Sequence, residues 1–175
     1  MKLNETIEMD PLRILPYGMR GSGKTSLVGR MAEFPEFRPI YVADWDLRIA
    51  SLRATLPPDL WQFIDSDPYR DGNIGGEAFT LMQAKVEKLP SLGIKTFVVD
   101  SGTFMMKGIM NRVLALDGKP ITMNPQLQHY NSLISIFEEI VARICGKKIN
   151  FIMNCHEQTV QDEVTQRVYK AVDLT

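Results

Sequence analysis

Residues 18–25 read Gly-Met-Arg-Gly-Ser-Gly-Lys-Thr, a glycine, four residues and then Gly-Lys-Thr, set between an apolar run at 12–17 and a helical pattern at 24–33. No other feature limits the fold so tightly. A backbone that must curl around phosphate oxygens and aim its amide hydrogens at them leaves no room for side chains, hence the glycines. A helix starting where the loop ends adds its positive amino terminus. In that setting Lys24 is expected to reach the β and γ phosphates, and the Thr25 hydroxyl to be a ligand of Mg2+. The expected nucleotide-binding set is Gly18, Arg20, Gly21, Ser22, Gly23, Lys24, Thr25 and Ser26. Arg20 and Ser22 are its least specific members, since exposed loop residues also fit those places. A glycine-rich turn that binds nothing would have no use for lysine and then threonine, so Mg·ATP is the expected ligand.

The rest of the chain alternates strand and helix patterns. Apolar strands are expected at 40–43, 60–64, 97–99 and 149–153, and helices at 47–55, 77–89, 104–116 and 126–144, with a polar loop at 65–76. In the last helix Leu127, Leu133, Ile134, Phe137, Ile140, Val141 and Ile144 are expected to face inward, and His129 to lie on a solvated face. The tail at 159–172 suggests a hairpin or small strands. This rhythm predicts an α/β fold, a mostly parallel sheet with helices on both faces, in which ligands bind at the carboxyl ends of strands.

Several polar groups follow a predicted strand directly and so fall on that edge. Asp100 ends the buried run Phe97-Val98-Val99 and is expected to hold the metal, usually through water. The plain alternative is a turn or cap residue. Asp44 and Asp46, one residue apart, are expected to point in different directions. One of them suits the work of a general base on the attacking water, and either suits a helix cap. His156, after the strand at 149–153, is placed to hydrogen-bond the γ phosphate or that water, although a lone histidine is more often structural.

Composition narrows the function classes. With 175 residues and 45% hydrophobic content, one domain over 1–175 with a single core is expected. Twenty basic residues against 21 acidic ones leave no overall field to draw the chain to nucleic acid or anionic membrane. Cys145 and Cys155 form no metal-ligand spacing or disulfide framework, and no apolar run is long enough to span a bilayer. A soluble protein of the reducing cytosol, without a membrane partner, is expected.

These residues together resemble the RecA-like ATPases, and particularly the short phage-encoded ATP-binding proteins of single-strand annealing and recombination. The likeness rests on 18–25, on Tyr41 to Asp46 ending in Asp-Trp-Asp, on Phe97 to Ser101, and on Ile149 to Glu157 ending in His-Glu. It implies a RecA-like P-loop NTPase core with Lys24, Asp46 and His156 as catalytic residues and Thr25 and Asp100 at the metal. It also implies ATP and Mg2+ as cofactors, single-stranded DNA and further copies of the chain as partners, and the cytoplasm of a bacterial host as location. Asp46 stands where the family usually has glutamate, which implies slow hydrolysis. The glycines that usually follow the acidic residue are replaced by Leu47-Arg48. Such cores generally continue with further strands, so a chain ending at Thr175 is expected to be a truncated or minimal core. No basic stripe with interleaved aromatics stands out in the sequence. Two other readings stay open: a small-molecule or nucleotide kinase, since the loop does not choose the phosphoryl acceptor, and a nucleotide-gated assembly factor with little catalysis.

Overall fold

The computed structural model describes residues 10–71, 75–161 and 168–174. In chain order the elements are β1 (Arg13–Ile14), β2 (Tyr17–Gly18), α1 (Lys24–Met31), β3 (Ile40–Asp44), β4 (Ile64–Pro68), α2 (Glu77–Lys88), β5 (Thr96–Asp100), α3 (Gly102–Leu116), α4 (Leu127–Cys145), β6 (Asn150–Gln161) and β7 (Val168–Asp173). Short 3-10 turns occupy Pro35–Phe37, Ile49–Ala54 and Pro58–Phe63. The sheet order is β1-β6-β5-β3-β4, all parallel, and β7 returns antiparallel along the outer half of β6. Around Pro16, β1 and β2 form two parts of one strand position along β6.

Side chains alternate across this sheet, as the period of two requires. Tyr41, Ala43, Phe97, Val99, Phe151 and Met153 meet the apolar stripes of α2, α3 and α4 on one face. There the rings of Tyr41, Phe97 and Phe151 stack in file, with centroids 5.9 Å apart at each step. Ile40, Val42, Val98 and Ile152 point the other way, onto Val28 and Met31 of α1 and onto Leu52, Leu56 and Leu60. Both faces are thus covered, and strands β3 and β5 are buried along their whole length, as expected for a parallel sheet.

Arg13 secures the strand that leads into the glycine loop. Its guanidinium donates to the carbonyls of Ile149 at 2.5 Å, Cys145 at 2.9 Å and Lys147 at 3.2 Å, tying β1 to the carboxyl end of α4. A cation is favoured there because the last helical carbonyls lack amide partners.

Four expectations need correction. Residues 58–63 form 3-10 turns, and the strand expected at 60–64 lies at Ile64–Pro68, taking the first part of the expected loop. Pro57 and Pro58 enforce the turn, and an edge strand tolerates the polar Asp65-Ser66-Asp67. The helix expected at 47–55 is the 3-10 segment Ile49–Ala54, closed off by the same prolines. In α4, Leu127 and Ile134 point outward, being 78% and 49% exposed; the inward stripe is His129, Leu133, Ile140 and Ile144, with Phe137 and Val141 packed against the core as expected. His129 is therefore not on a solvated face. It is 2% exposed and completes a capping box with Gln126, its Nδ1 accepting the Gln126 backbone N–H at 2.9 Å. The tail does pair β6 and β7 antiparallel, as small strands, and residues 162–167 lie outside the described residues. Among the described residues no helix is long and apolar enough to cross a membrane.

Candidate nucleotide site

The glycine loop connects β2 to α1. Gly21 at φ +80° and Gly23 at φ +91° adopt the left-handed conformation that side chains disfavour, and Gly23 is the residue before the first turn of α1. No side chain caps that helix, so its first amides are left facing the loop's concavity. Lys24 curls into the loop, with Nζ donating to the carbonyls of Gly18 at 2.7 Å and Met19 at 2.9 Å and to Ser22 Oγ at 3.3 Å. The loop thus forms a ring of acceptors around one ammonium group.

Sheet order brings the opposite wall to it. Strand β6 lies between β2 and β5, and the register aligns Gly18 with His156, and Asp44 with Asp100 and Asp100 with Asn154. Thr25 Oγ1 donates to Asp100 Oδ2 at 2.6 Å, joining the start of α1 to the end of β5. The two aspartates at the end of β3 and just beyond it part company, as their spacing predicts. Asp44 turns down and accepts the backbone N–H groups of Arg48 and Ile49, each at 3.0 Å, which is the capping role. Asp46 faces the cleft. Its Oδ1 accepts from Ser101 Oγ at 2.8 Å and its Oδ2 lies 3.1 Å from His156 Nε2.

The backbone under Asp46 is fixed at several points. The amides of Trp45 and Asp46 both donate to the Asp100 carbonyl, at 2.6 and 3.1 Å. The Trp45 ring stacks on Tyr69 with centroids 5.4 Å apart and packs on Gly108, where an added Cβ would stand 2.5 Å from a ring carbon. Leu47 then takes φ +56°, a conformation glycine would adopt without cost. Leu47 therefore occupies a glycine-like backbone position.

Burial pushes the Asp100 carboxyl above its ordinary pKa, opposed by the Thr25 hydroxyl and reinforced by the charges of Asp46 and Asp44. Burial likewise raises Asp44, opposed by the amides of Ile49 and Arg48, with Asp46 adding to the rise. Carboxylates crowded at the ends of adjacent buried strands are short of positive charge. The donors are hard oxygens, the Thr25 hydroxyl and the Asp100 carboxylate, and these fit Mg2+. Among the described residues no cluster of three or more histidine, cysteine or acidic side chains would hold a metal alone.

The loop and the opposite wall enclose a cavity of about 180 Å3, lined by residues 20–26 with Asp46, Arg48, Ser51, Asp100 and His156. With Arg20, Lys24 and Arg48 around it, this space suits a phosphate chain rather than a base. A second cleft of about 400 Å3 adjoins it, lined by Met19, Thr103, Phe104, Lys107, Glu157 and Asp173, and Arg20 and His156 line both. Arg20 and Lys107 lie 5.9 and 4.8 Å from the centre of the Phe104 ring, which meets His156 edge-on at 5.8 Å.

The loop, Asp46, Asp100 and His156 come together as the sequence predicts, with Asp44 beside them as a cap. Ser101, Ser51 and the Asn154 side chain, which also line or flank this site, carry no role legible in the sequence. Asn154 neighbours Asp100 across the sheet, and its fully buried amide completes no hydrogen bond of normal geometry. Position at a strand end is the one signal that marked it.

A parallel sheet with helices on both faces, a glycine loop between strand and helix, and an Asp100 strand separated from the loop strand by β6 define a P-loop NTPase fold of RecA-like architecture. No family model matches the chain, and no curated protein matches it. Among solved structures it is similar to one described as a prototypical ATPase from the type III secretion system of pathogenic bacteria, with a TM-score of 0.62 at 16% identity. The match covers 89% of this chain and 48% of that one, so the chain spans about half the length of that ATPase. At this identity the likeness is one of fold.

Proposed function

We propose that this chain binds Mg·ATP and hydrolyses it, and that hydrolysis serves a phage-type recombination or annealing process on single-stranded DNA. The observation that carries the hydrolytic part is Asp46, a carboxylate held by Ser101 and His156 beside the phosphate cavity. Loop amides and Lys24 bind the β and γ phosphates, releasing Lys24 from the carbonyls of Gly18 and Met19. Mg2+, held by Thr25 and water on Asp100, would neutralise charge on the phosphates. Asp46 orients the attacking water and takes its proton. With Asp46 ionised, His156 Nε2 donates to it, which leaves Nδ1, buried and without a hydrogen-bond partner, as an acceptor. The fold neighbour named above is an ATPase, in keeping with this reading.

The adjoining cleft supports the DNA part. It brings together what the linear sequence scatters, Arg20, Lys107 and the partly exposed Phe104, a pair of cations around an aromatic face. Bases stack on such faces while cations track the phosphates. Because Arg20 and His156 border both clefts, a strand there would touch the hydrolytic wall directly.

The test is Mg-dependent phosphate release with and without a single-stranded oligonucleotide, for the wild type and Lys107→Glu. DNA stimulation in the wild type that falls severalfold in Lys107→Glu, with basal turnover kept, is expected. Basal turnover unaffected by any oligonucleotide would remove the DNA part. Bound ATP without turnover would favour the second reading, a nucleotide-gated assembly factor, which one observation supports: both oxygens of Asp46 already have partners.

A further inference from the structure

Ser101 is the residue immediately before α3, the position where a serine ordinarily caps a helix by accepting a backbone N–H from the first turn. It makes no such bond. Its hydroxyl instead reaches across 55 residues to Asp46 Oδ1 at 2.8 Å, while the first turn of α3 is closed through the Ser101 carbonyl and the Met105 amide at 3.0 Å. The side chain is fully buried, so a capping bond given up here is not replaced by water. A serine kept only for the helix would point at the helix.

We infer that Ser101 is a positioning residue for the hydrolytic carboxylate, a role that rests on the proposed hydrolysis at Asp46. Asp46 has two side-chain torsions and two oxygens, and a single partner would leave the carboxylate free to swing about that bond. With Ser101 on Oδ1 and His156 on Oδ2, both ends are held and the plane of the group is set. The need is greater for aspartate than for glutamate, because the shorter side chain must present its oxygen from further back. Displacements of about 1 Å at a reacting group cost on the order of a hundredfold in rate. The first turn of α3 serves the same wall twice more. Thr103 Oγ1 accepts the His156 backbone N–H at 3.0 Å and donates to the Asp173 carbonyl, and Phe104 abuts the His156 ring. Ser101 alone among these touches the carboxylate.

The test combines turnover with a signal that does not depend on turnover. The chain has two histidines, His129 and His156, so the side-chain imidazole nitrogens give two sets of resonances. His129, packed against Gln126 and Asp117 at the far end of α3, is an internal control. In Ser101→Ala the His156 resonances are expected to shift and those of His129 to stay, because the loosened carboxylate alters the bond to Nε2. In the same variant kcat should fall about 10- to 100-fold with KM for ATP kept, and Ser101→Thr, which keeps the hydroxyl, should recover most of it. In an Asp46→Asn background, Ser101→Ala should change kcat little further, since Ser101 acts through Asp46. Unmoved His156 resonances, or an equal loss of kcat in both backgrounds, would overturn the assignment. A wild type that binds ATP without turnover would instead sink the hydrolysis reading, while the resonances still decide whether Ser101 fixes Asp46.

Discussion

The two walls of the nucleotide cleft are built on opposite principles. One is a contiguous loop, 18–25, made of backbone amides and a lysine and largely open to solvent. The other is assembled from Asp46, Asp100, Ser101 and His156, largely buried side chains from three neighbouring strand positions, with Asp46 held by Ser101 and His156 and Asp100 bonded to Thr25. A backbone wall can recognise phosphate wherever it is presented. A side-chain wall has a fixed orientation, and its carboxylates are held at a cost in desolvation. Under the proposed function the first wall binds and the second carries the chemistry, and variants should separate them.

The largest effect is expected on the open wall. Lys24→Ala removes the cation from the β and γ phosphates and should lower turnover by about 10²–10³-fold, with weaker ATP binding as well; titration with a fluorescent ATP analogue alongside phosphate release measures both. On the buried wall Asp46→Asn should cost about a hundredfold in kcat while ATP affinity is kept. Equal loss of affinity in the two variants would break the division of labour.

Smaller effects test the support under Asp46. Gly108→Ala drives a methyl into the Trp45 ring and should destabilise the fold by about 1–3 kcal/mol, read by urea denaturation. Because Trp45 precedes Asp46, turnover should fall with it. Asp100→Asn tests the cost of the buried charge. The folded-state pKa of Asp100 lies above its unfolded value, so its contribution is most favourable at low pH and turns into a cost as pH rises through the raised value. In metal-free buffer near neutral pH the variant should melt above the wild type, and the gap should close as pH falls into the ordinary carboxylate range. Leu47→Gly is expected to have the smallest effect, a gain of about 1 kcal/mol or less, since it relieves a left-handed leucine while adding freedom to the unfolded chain.

The contrast between the walls also explains what could be read in advance. The open wall is a local pattern, and glycine, lysine and threonine in fixed order declare it without knowledge of the fold. The buried wall depends on strand order, yet Asp46, Asp100 and His156 were legible because each follows an apolar strand and parallel strands end on the same edge. Ser101 was not legible, because at a helix start serine already has a local explanation. His129 was misjudged because its place in the helical pattern suggested solvent, whereas its local capping bond to Gln126 and its contact with Asp117 turn the ring inward. The 3-10 turns at 49–54 and 58–63 escaped because periodicity does not distinguish short apolar helices, turns and strands when prolines crowd them. The aromatic and cationic cleft around Phe104 could not be seen at all, since Arg20 and Lys107 are brought together only by the packing of α3 beside the loop.

The most direct test of the account is single-turnover phosphate release from Mg·ATP by the wild type and Asp46→Asn at saturating protein, with bound nucleotide measured in the same samples. The account predicts equal ATP binding in the two proteins, Mg-dependent phosphate release by the wild type, and release slowed about a hundredfold by the substitution. Equal release from both proteins would contradict it, and so would bound ATP left intact by the wild type.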